Sequence, residues 1–521
     1  MAFFLTKPLN IALGQDVNDV RQKLLKLLRL RDKELVSFCL HRQSVDARNK
    51  NDVHFVCSYV VETEVSPINA TPYEAPQDVL QTVTMARKKL NCIVVGAGPA
   101  GLFASLYLVK SGCNVTIVER GSDVVKRQTK VNDFFNGGEL DERCNVQFGL
   151  GGAGTFSDGK LTTGISSPLT YTVFQQLARS GAPQDILTSA LPHVGTDKLV
   201  HVVANLRDEI VSYGGKFLFD TSVTDFVVED NVVKGVVLDG NEKLLADCVL
   251  LACGNGARDV YACLDRYSAL AFKPFAVGLR IEHTREFIDT AQYGKVCATH
   301  RDLPTASYKL VMNGAHSCYS FCMCPGGVVV AASSERESVV VNGMSNYLRD
   351  GQNSNSALVV NVTAEDVKQY GYGSDALAGM RFQQDLERRA YMLAGGNYLA
   401  PCQNVSDFVM DRLSTQFDVT PSYPRGVTSV NLRTLLPKEI GATLSQALAY
   451  FDRKIHGFGS TGVLTGVETR TSSPVKITRN ETYQSALLSN LYPVGEGAGY
   501  AGGIVSSAVD GLRVAMSLTL L

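Results

Sequence analysis

Residues Asn91–Arg120 read NCIVVGAGPAGLFASLYLVKSGCNVTIVER, a strand, a glycine turn, a helix and a second strand that ends in an acid. CIVVG is apolar and β-branched, as a strand buried on both faces must be. Gly96, Gly98 and Gly101 supply GxGxxG. The first permits the tight turn, the second lets backbone approach a pyrophosphate, and the third lets the helix from about Ala100 to Ser111 pack on the sheet. The helix N-terminus offers unpaired N–H groups and a positive dipole end to phosphates. Glu119 closes NVTIVE where its carboxylate would accept hydrogen bonds from a ribose diol, with Arg120 beside it. A bare GxGxxG is weak evidence. With strand, helix, strand and terminal acid all in place, the segment predicts a bound adenine dinucleotide.

Two further blocks extend this unit. From Gly215 to Gly254, KFLFDTSVTDFVVEDNVVKGVVLDGNEKLLADCVLLACG gives short strands separated by turn residues, then LLACG, a buried strand leading into a glycine. Val223, Ala252 and Gly254 are its cofactor-binding candidates. The last block is LYPVGEGAGYAGGIVSSAVDGLRVA, another strand, glycine turn and helix. The chain between about Phe272 and Gly466 has no dinucleotide signature and is expected to be an inserted substrate or cap domain. Before the fingerprint, a strand near Phe3–Leu13, an amphipathic helix near Val17–Leu30 and two more strands form a small βαββ unit, with a ferredoxin-like arrangement as one option. The helix reads as packing on that sheet rather than as a membrane-surface or partner helix.

The expected fold class is α/β: a Rossmann-like FAD/NAD(P)-binding three-layer domain, an inserted α+β domain and the small N-terminal domain. Boundaries are placed at 1–85, 86–268, 269–466 and 467–521, the second and fourth being parts of one domain.

Composition describes a globular chain of 521 residues, 45% hydrophobic. Fifty basic against 51 acidic residues give no global bias toward nucleic acid or an anionic membrane. No signal-peptide pattern or bilayer-spanning apolar run is seen. Thirteen cysteines, mostly within apolar runs, fit reduced core residues. A cytoplasmic location is expected, with an organelle address of atypical form as the open alternative.

A nicotinamide dehydrogenase needs only the first fingerprint, whereas a flavoprotein must also hold a ribityl chain and an isoalloxazine ring. The C-terminal block meets that need. Glu496, between Gly495 and a glycine turn, is placed to accept hydrogen bonds from ribityl hydroxyls. Gly502, Gly503 and the helix beginning near Ile504 would direct N–H groups at the flavin and stabilise negative charge on the reduced ring.

Over nearly its whole length the chain resembles a widespread, poorly characterised family of FAD-dependent dehydrogenases. That family lies within the class that folds like glutathione reductase and p-hydroxybenzoate hydroxylase. The resemblance is carried by RQSVDARNK, GAGPAGLFA, ERG, NVQFGLGGAGTFSDGKL, FKPFAVGLRIEH, YSFCMCPGGVVVAASSE, VVNGMS, TGVETRTSSPVKI and GEGAGYAGGI. It implies bound FAD and a redox role without naming a substrate. Two departures stand out. Asn255 and Gly256 occupy positions where the family commonly has histidine and serine, and Leu150 stands where an acid is frequent.

NVQFGLGGAGTFSDGKL is too rich in glycine and small polar residues for a helix or strand interior and should approach the ligand by backbone. Gly151, Gly152, Gly154, Thr155 and Ser157 are expected to border the ring. Lys160 would stabilise an anionic reduced flavin or an acidic substrate, or else be a solvated lysine beside a structural loop, and Arg127 would reach the pyrophosphate or ribose, or equally lie on a helix surface. Glu468, Arg470 and Thr471 form a charged constellation for the active-site mouth, although a structural ion pair would give the same pattern. Glu282 and His283 should fall on opposite faces of a strand. Cys322 and Cys324, with Cys318, would share one strand face; a dithiol beside a flavin is one reading, but the spacing suits a disulfide poorly and core packing is the expectation. No spacing of Cys and His completes a metal site.

The reading reached from sequence is an FAD-dependent oxidoreductase with non-covalent FAD. Hydride would pass between the flavin and a small-molecule substrate or transiently docked NAD(P)H. A non-catalytic flavin-binding redox sensor or scaffold is the alternative. A nucleic-acid-modifying flavoprotein is disfavoured by the balanced charge. The oligomeric state is not legible.

Overall fold

The computed structural model describes residues 1–520. Its centre is a five-stranded parallel sheet in the order Leu491–Pro493, Cys248–Leu251, Asn91–Val95, Asn114–Val118, Lys216–Leu218. All three blocks read from the sequence therefore meet in one sheet. The fingerprint helix Pro99–Lys110 is apolar on every side, and residues 100–109 are all buried, as expected for a helix sandwiched in a core. It lies against the last helix, Ile504–Thr519, so closely that a Cβ on Gly511 would meet the Ala100 carbonyl oxygen at 2.2 Å. The other face of the sheet is covered by the meander Val223–Glu229, Val232–Leu238 and Lys243–Leu245 and by the helix Arg258–Asp265. Helix layer, sheet and meander make the three layers expected.

The chain leaves this domain through Leu270–Phe272 and returns through Val475–Ile477. The two segments pair antiparallel as a short neck. Between them a seven-stranded sheet forms around Phe275–Thr284. That strand is buried at every position but Thr284, so both its faces are covered. On one side it pairs with Asn353–Val362 without interruption, and on the other with Val463–Glu468. The division expected at 466/467 falls inside the latter strand, which carries Glu468 to the edge of the dinucleotide domain.

In the N-terminal unit the helix Val17–Leu28 begins at a capping box, Asp16 with Asp19, and buries Val20, Leu24 and Leu28 against the sheet. The strand expected over Phe3–Leu13 is broken into Ala2–Thr6 and Leu9–Ala12. Both pieces pair with His54–Thr63, and the break falls at Lys7–Pro8, where proline has no N–H to give the ladder. With one helix among its described residues, the unit lacks the second helix of a complete ferredoxin-like βαββαβ arrangement. Among the described residues no helix is long and apolar enough to cross a membrane.

Candidate functional site

A cavity of about 390 Å³ runs from the carboxyl ends of the central strands to the edge of the inserted sheet, the crevice where open α/β sheets bind ligands. At one end Glu119 is fixed by three backbone donors. Its Oε2 accepts from Ala97 N–H at 2.8 Å, and its Oε1 accepts from Gly121 and Gly149 N–H, each at 2.9 Å. Both carboxylate oxygens are thus held by backbone at the cavity wall. Arg120 lies over the Phe148 ring at 4.5 Å and pairs with Asp259 at 2.7 Å, and Val223 completes this end of the wall.

Midway, the two helix N-termini converge. Neither Pro99–Lys110 nor Ile504–Thr519 has a side chain capping its first turn, so their orphan N–H groups are left to a ligand. Gly98, Gly254, Gly502 and Gly503 line the cavity, and a Cβ built on any of them finds no protein atom closer than 3.9 Å. Bare backbone facing open space, two positive helix ends and a fixed acceptor acid together fit a flavin adenine dinucleotide. Ala100, Ala252 and Ile504 add apolar wall. Glu496 faces the same space; burial pushes its carboxyl up to about 7, only partly opposed by Lys273. Asn255, the departure from the family pattern, donates its Nδ2 hydrogen to Glu496 Oε1.

Several expected contacts lie behind the wall instead. Gly101 touches Gly96, where a Cβ would sit 2.0 Å from the Gly96 carbonyl oxygen, so it serves helix–strand packing. Gly151 and Thr155 face one another under the loop, and Gly495 packs on Ala100. Arg127 is corrected outright. It is fully buried, and its guanidinium donates to the carbonyls of Asn145, Val146, Gly149, Leu150 and Gly152. Burial pulls it down to about 10. Arg127 is the post around which the glycine loop winds, and it does not line the cavity.

At the far end Gly152, Gly154, Ser157 and Lys160 come from that loop, and Phe321, Cys322, Asn342, Glu468, Arg470 and Thr471 come from the inserted domain. The charges here are mutually engaged. Lys160 Nζ is 2.9 Å from Asp158, which Arg349 holds from the other side with two bonds of 2.9 and 2.6 Å. Against the cost of burial, Lys160 and Arg349 keep the Asp158 carboxyl below the usual carboxylate range. Glu468 receives two hydrogen bonds from Arg280, at 2.8 and 3.0 Å, yet burial still raises its carboxyl. Arg470 donates to Glu387 at 3.1 and 2.8 Å, and Arg258 binds the same carboxylate with two bonds of 2.8 Å. Arg470 is therefore in the wall but committed to Glu387, and is not a free guanidinium awaiting a carboxylate. Thr471 is turned to the Ala276 carbonyl.

Glu282 and His283 fall on opposite strand faces and outside the cavity. Glu282 is bound by Ser422 and Asn353, and His283 Nε2 lies 3.1 Å from the Phe458 carbonyl oxygen. Sequence reasoning missed Asp158, Arg280, Arg349 and Glu387. The one signal was Arg280 itself, since a charge directly after the apolar run FAVGL, in a strand that reads as buried, demands a buried partner.

The fold and this cavity define a flavin-dinucleotide protein of the three-layer Rossmann type. Residues 274–471 match the family described as FAD-dependent protein, C-terminal domain-like, and residues 94–147 match the NAD(P)-binding Rossmann-like domain. Residues 6–62 match a domain of unknown function, DUF8436. An uncharacterized protein of Clostridium beijerinckii (strain ATCC 51743 / NCIMB 8052) is 40% identical over 526 residues, covering 97% of each chain. The chain belongs to the family of that protein; it carries the FAD-dependent C-terminal domain, and FAD is its cofactor. Among solved structures it is similar to CtdE in complex with FAD, at 13% identity and TM-score 0.33 over 82% of this chain and 84% of that one. It is also similar to glycine oxidase from Geobacillus kaustophilus, at 12% identity and TM-score 0.37 over 82% and 94%.

Proposed function

We propose that the protein is an FAD-dependent oxidoreductase whose flavin exchanges hydride with a small organic molecule seated where the glycine loop meets the inserted domain. The observation that supports this is the continuity of one cavity. It begins at the dinucleotide acid Glu119 and ends among Lys160, Cys322, Glu468 and Arg470, so a cofactor and a second reactant have adjoining walls. FAD supplies the redox chemistry when bound. Glu119 orients the adenosine, and Glu496 with Asn255 orients the ribityl chain. The uncapped N-terminus of Ile504–Thr519 favours negative charge on the reduced ring.

Lys160 is engaged with Asp158, Glu468 with Arg280 and Arg470 with Glu387, so each of these charges in the far wall already has a partner. A substrate of low net charge suits this wall better than an acidic one, because a carboxylate would have to compete with existing ion pairs. NAD(P)H, for which the chain carries no second fingerprint, would dock transiently. The test is anaerobic reduction of the purified yellow protein by NADH, NADPH and neutral or anionic organic donors. Bleaching by a neutral donor supports the reading. Stable FAD that no donor reduces would favour a flavin-binding sensor or scaffold.

A further inference from the structure

In a regular strand, Cys322 and Cys324 would point the same way and their sulfurs would stand apart. The strand Cys318–Cys324 is not regular at this point. It pairs with Asn353–Val362 as far as Phe321 opposite Ala357; the next pair is Cys324 opposite Asn355, so one residue is extra. Cys322 takes the left-handed conformation, φ 44°, rare for a residue with a side chain. Such a bulge re-aims side chains, commonly beside a reaction site. Here it turns Cys322 into the cavity wall and leaves Cys324 buried behind it. The Cys324 thiol folds back on its neighbour and donates to the Cys322 carbonyl oxygen at 3.3 Å.

Two cations attend the pair. Lys160 Nζ is 4.0 Å from Cys324 Sγ, and Arg280 Nη1 donates to the Cys322 carbonyl at 3.3 Å. The proximity of Cys324, then Lys160 and Arg280 acting against burial, pull the Cys322 thiol down; the same proximity and burial push Cys324 up. Of the two, Cys322 is the sulfur favoured as thiolate and Cys324 the one favoured to keep its proton. Cys318 in the same strand is fully buried away from the cavity, and burial pushes its thiol up to about 12, the environment of an inert structural cysteine.

We propose that Cys322 and Cys324 are a redox-active dithiol that exchanges two electrons with the flavin, replacing the core-packing role expected from sequence. The proposal rests on the FAD reading above. In the oxidative direction the Cys322 thiolate and the Cys324 thiol become a disulfide, breaking the Cys324 S–H bond and forming the S–S bond. Two electrons and that proton pass to oxidised FAD, giving the anionic reduced flavin. Charge and atoms balance with no further reagent, and Lys160 remains protonated beside the negative charge throughout.

Two measurements test this on the full-length protein. Anaerobic dithionite titration of the oxidised, FAD-loaded protein should consume four electrons per flavin, against two for Cys322→Ser, Cys324→Ser and Cys324→Ala; Cys318→Ser should still take four. Independently of the flavin, apoprotein treated with a small disulfide oxidant should yield the tryptic peptide 310–336 lacking two hydrogens, with only Cys318 open to alkylation. Wild-type protein that binds FAD, takes two electrons and keeps all three thiols alkylatable would overturn the dithiol while leaving the flavin reading intact. A protein that cannot be loaded with FAD would remove both.

Discussion

Asn255 Nδ2 donates to Glu496 Oε1 across 2.8 Å, joining two segments separated by 241 residues. The bond places an amide, which has no charge to offer, beside a carboxyl that burial pushes up to about 7. Glu496 therefore spends neutral pH near its midpoint, able either to accept from a ribityl hydroxyl or, when protonated, to donate. A histidine in place of Asn255 would add a positive charge and hold the acid ionised.

Glu496→Gln separates these roles. Because the folded carboxyl titrates above its ordinary 4.5, its contribution to apoprotein stability is fully present below pH 4.5 and is lost as pH rises through about 7. The glutamine variant should lose that dependence and exceed wild-type apoprotein stability above pH 7 by up to ~3 kcal/mol, while retaining FAD less tightly. Denaturant titrations of both apoproteins across this range, with flavin release followed by fluorescence, check it. Parallel pH profiles for the two proteins would show that Glu496 does not titrate there.

Gly98→Val should fold and be colourless. The added side chain starts 3.9 Å from its nearest protein neighbour and projects into the cavity, so it displaces pyrophosphate without a clash in the apoprotein. Circular dichroism should match the wild type while absorbance shows no flavin. Full FAD occupancy in this variant would contradict the placement of the dinucleotide.

Glu387→Gln should be costly. Glu387 is completely buried between Arg258 and Arg470, and removing its charge leaves two buried guanidinium groups short of a partner, a loss of ~3–5 kcal/mol. Arg470→Lys retains the charge but not the paired donors and should lose less. Thermal unfolding of the three proteins orders them wild type, Arg470→Lys, Glu387→Gln; equal stability would mean that solvent reaches this cluster.

His283 gives an acid-side prediction. Burial pulls it from 6.5 down to about 4. The unfolded chain takes up a proton below pH 6.5 that the folded protein refuses, so stability present above 6.5 is lost as pH falls toward 4, by up to ~3 kcal/mol. His283→Phe, lying between Phe287 and Phe458, should be less stable at neutral pH for want of the bond to Phe458 and should flatten the loss on acidification. An unchanged slope would assign the acid sensitivity elsewhere.

The dinucleotide half of the site was legible because its signals are local. Glycine at 96 and 98, the acid at 119, LLACG and GEGAG each state their requirement within a few residues, and the structure brings them to one sheet and one cavity. The far end of the cavity was not legible in the same way. Glu468 and Arg470 were visible as charges, but what they do depends on Arg280, 188 residues away, and Glu387, 83 residues away. Arg127 illustrates the same point. Nothing in its own helix tells that five carbonyls of a loop some 20 residues on will claim it. Cys322 escaped periodicity because a bulge cancels the alternation on which the reading rested.

The strand order of the central sheet has a consequence for biogenesis. Cys248–Leu251 pairs on one edge with Asn91–Val95, which precedes it in the chain, but its other edge is closed only by Leu491–Pro493. For the synthesis of some 240 intervening residues the nascent domain presents an apolar, unpaired strand edge, the kind of surface that recruits wrong partners. Glu496 and the N-terminus of Ile504–Thr519 arrive later still. The set of residues that faces the cavity is therefore complete only once the C-terminal helix has been made, and a chain ending after the inserted domain would carry an intact GxGxxG without Glu496 or the second helix N-terminus.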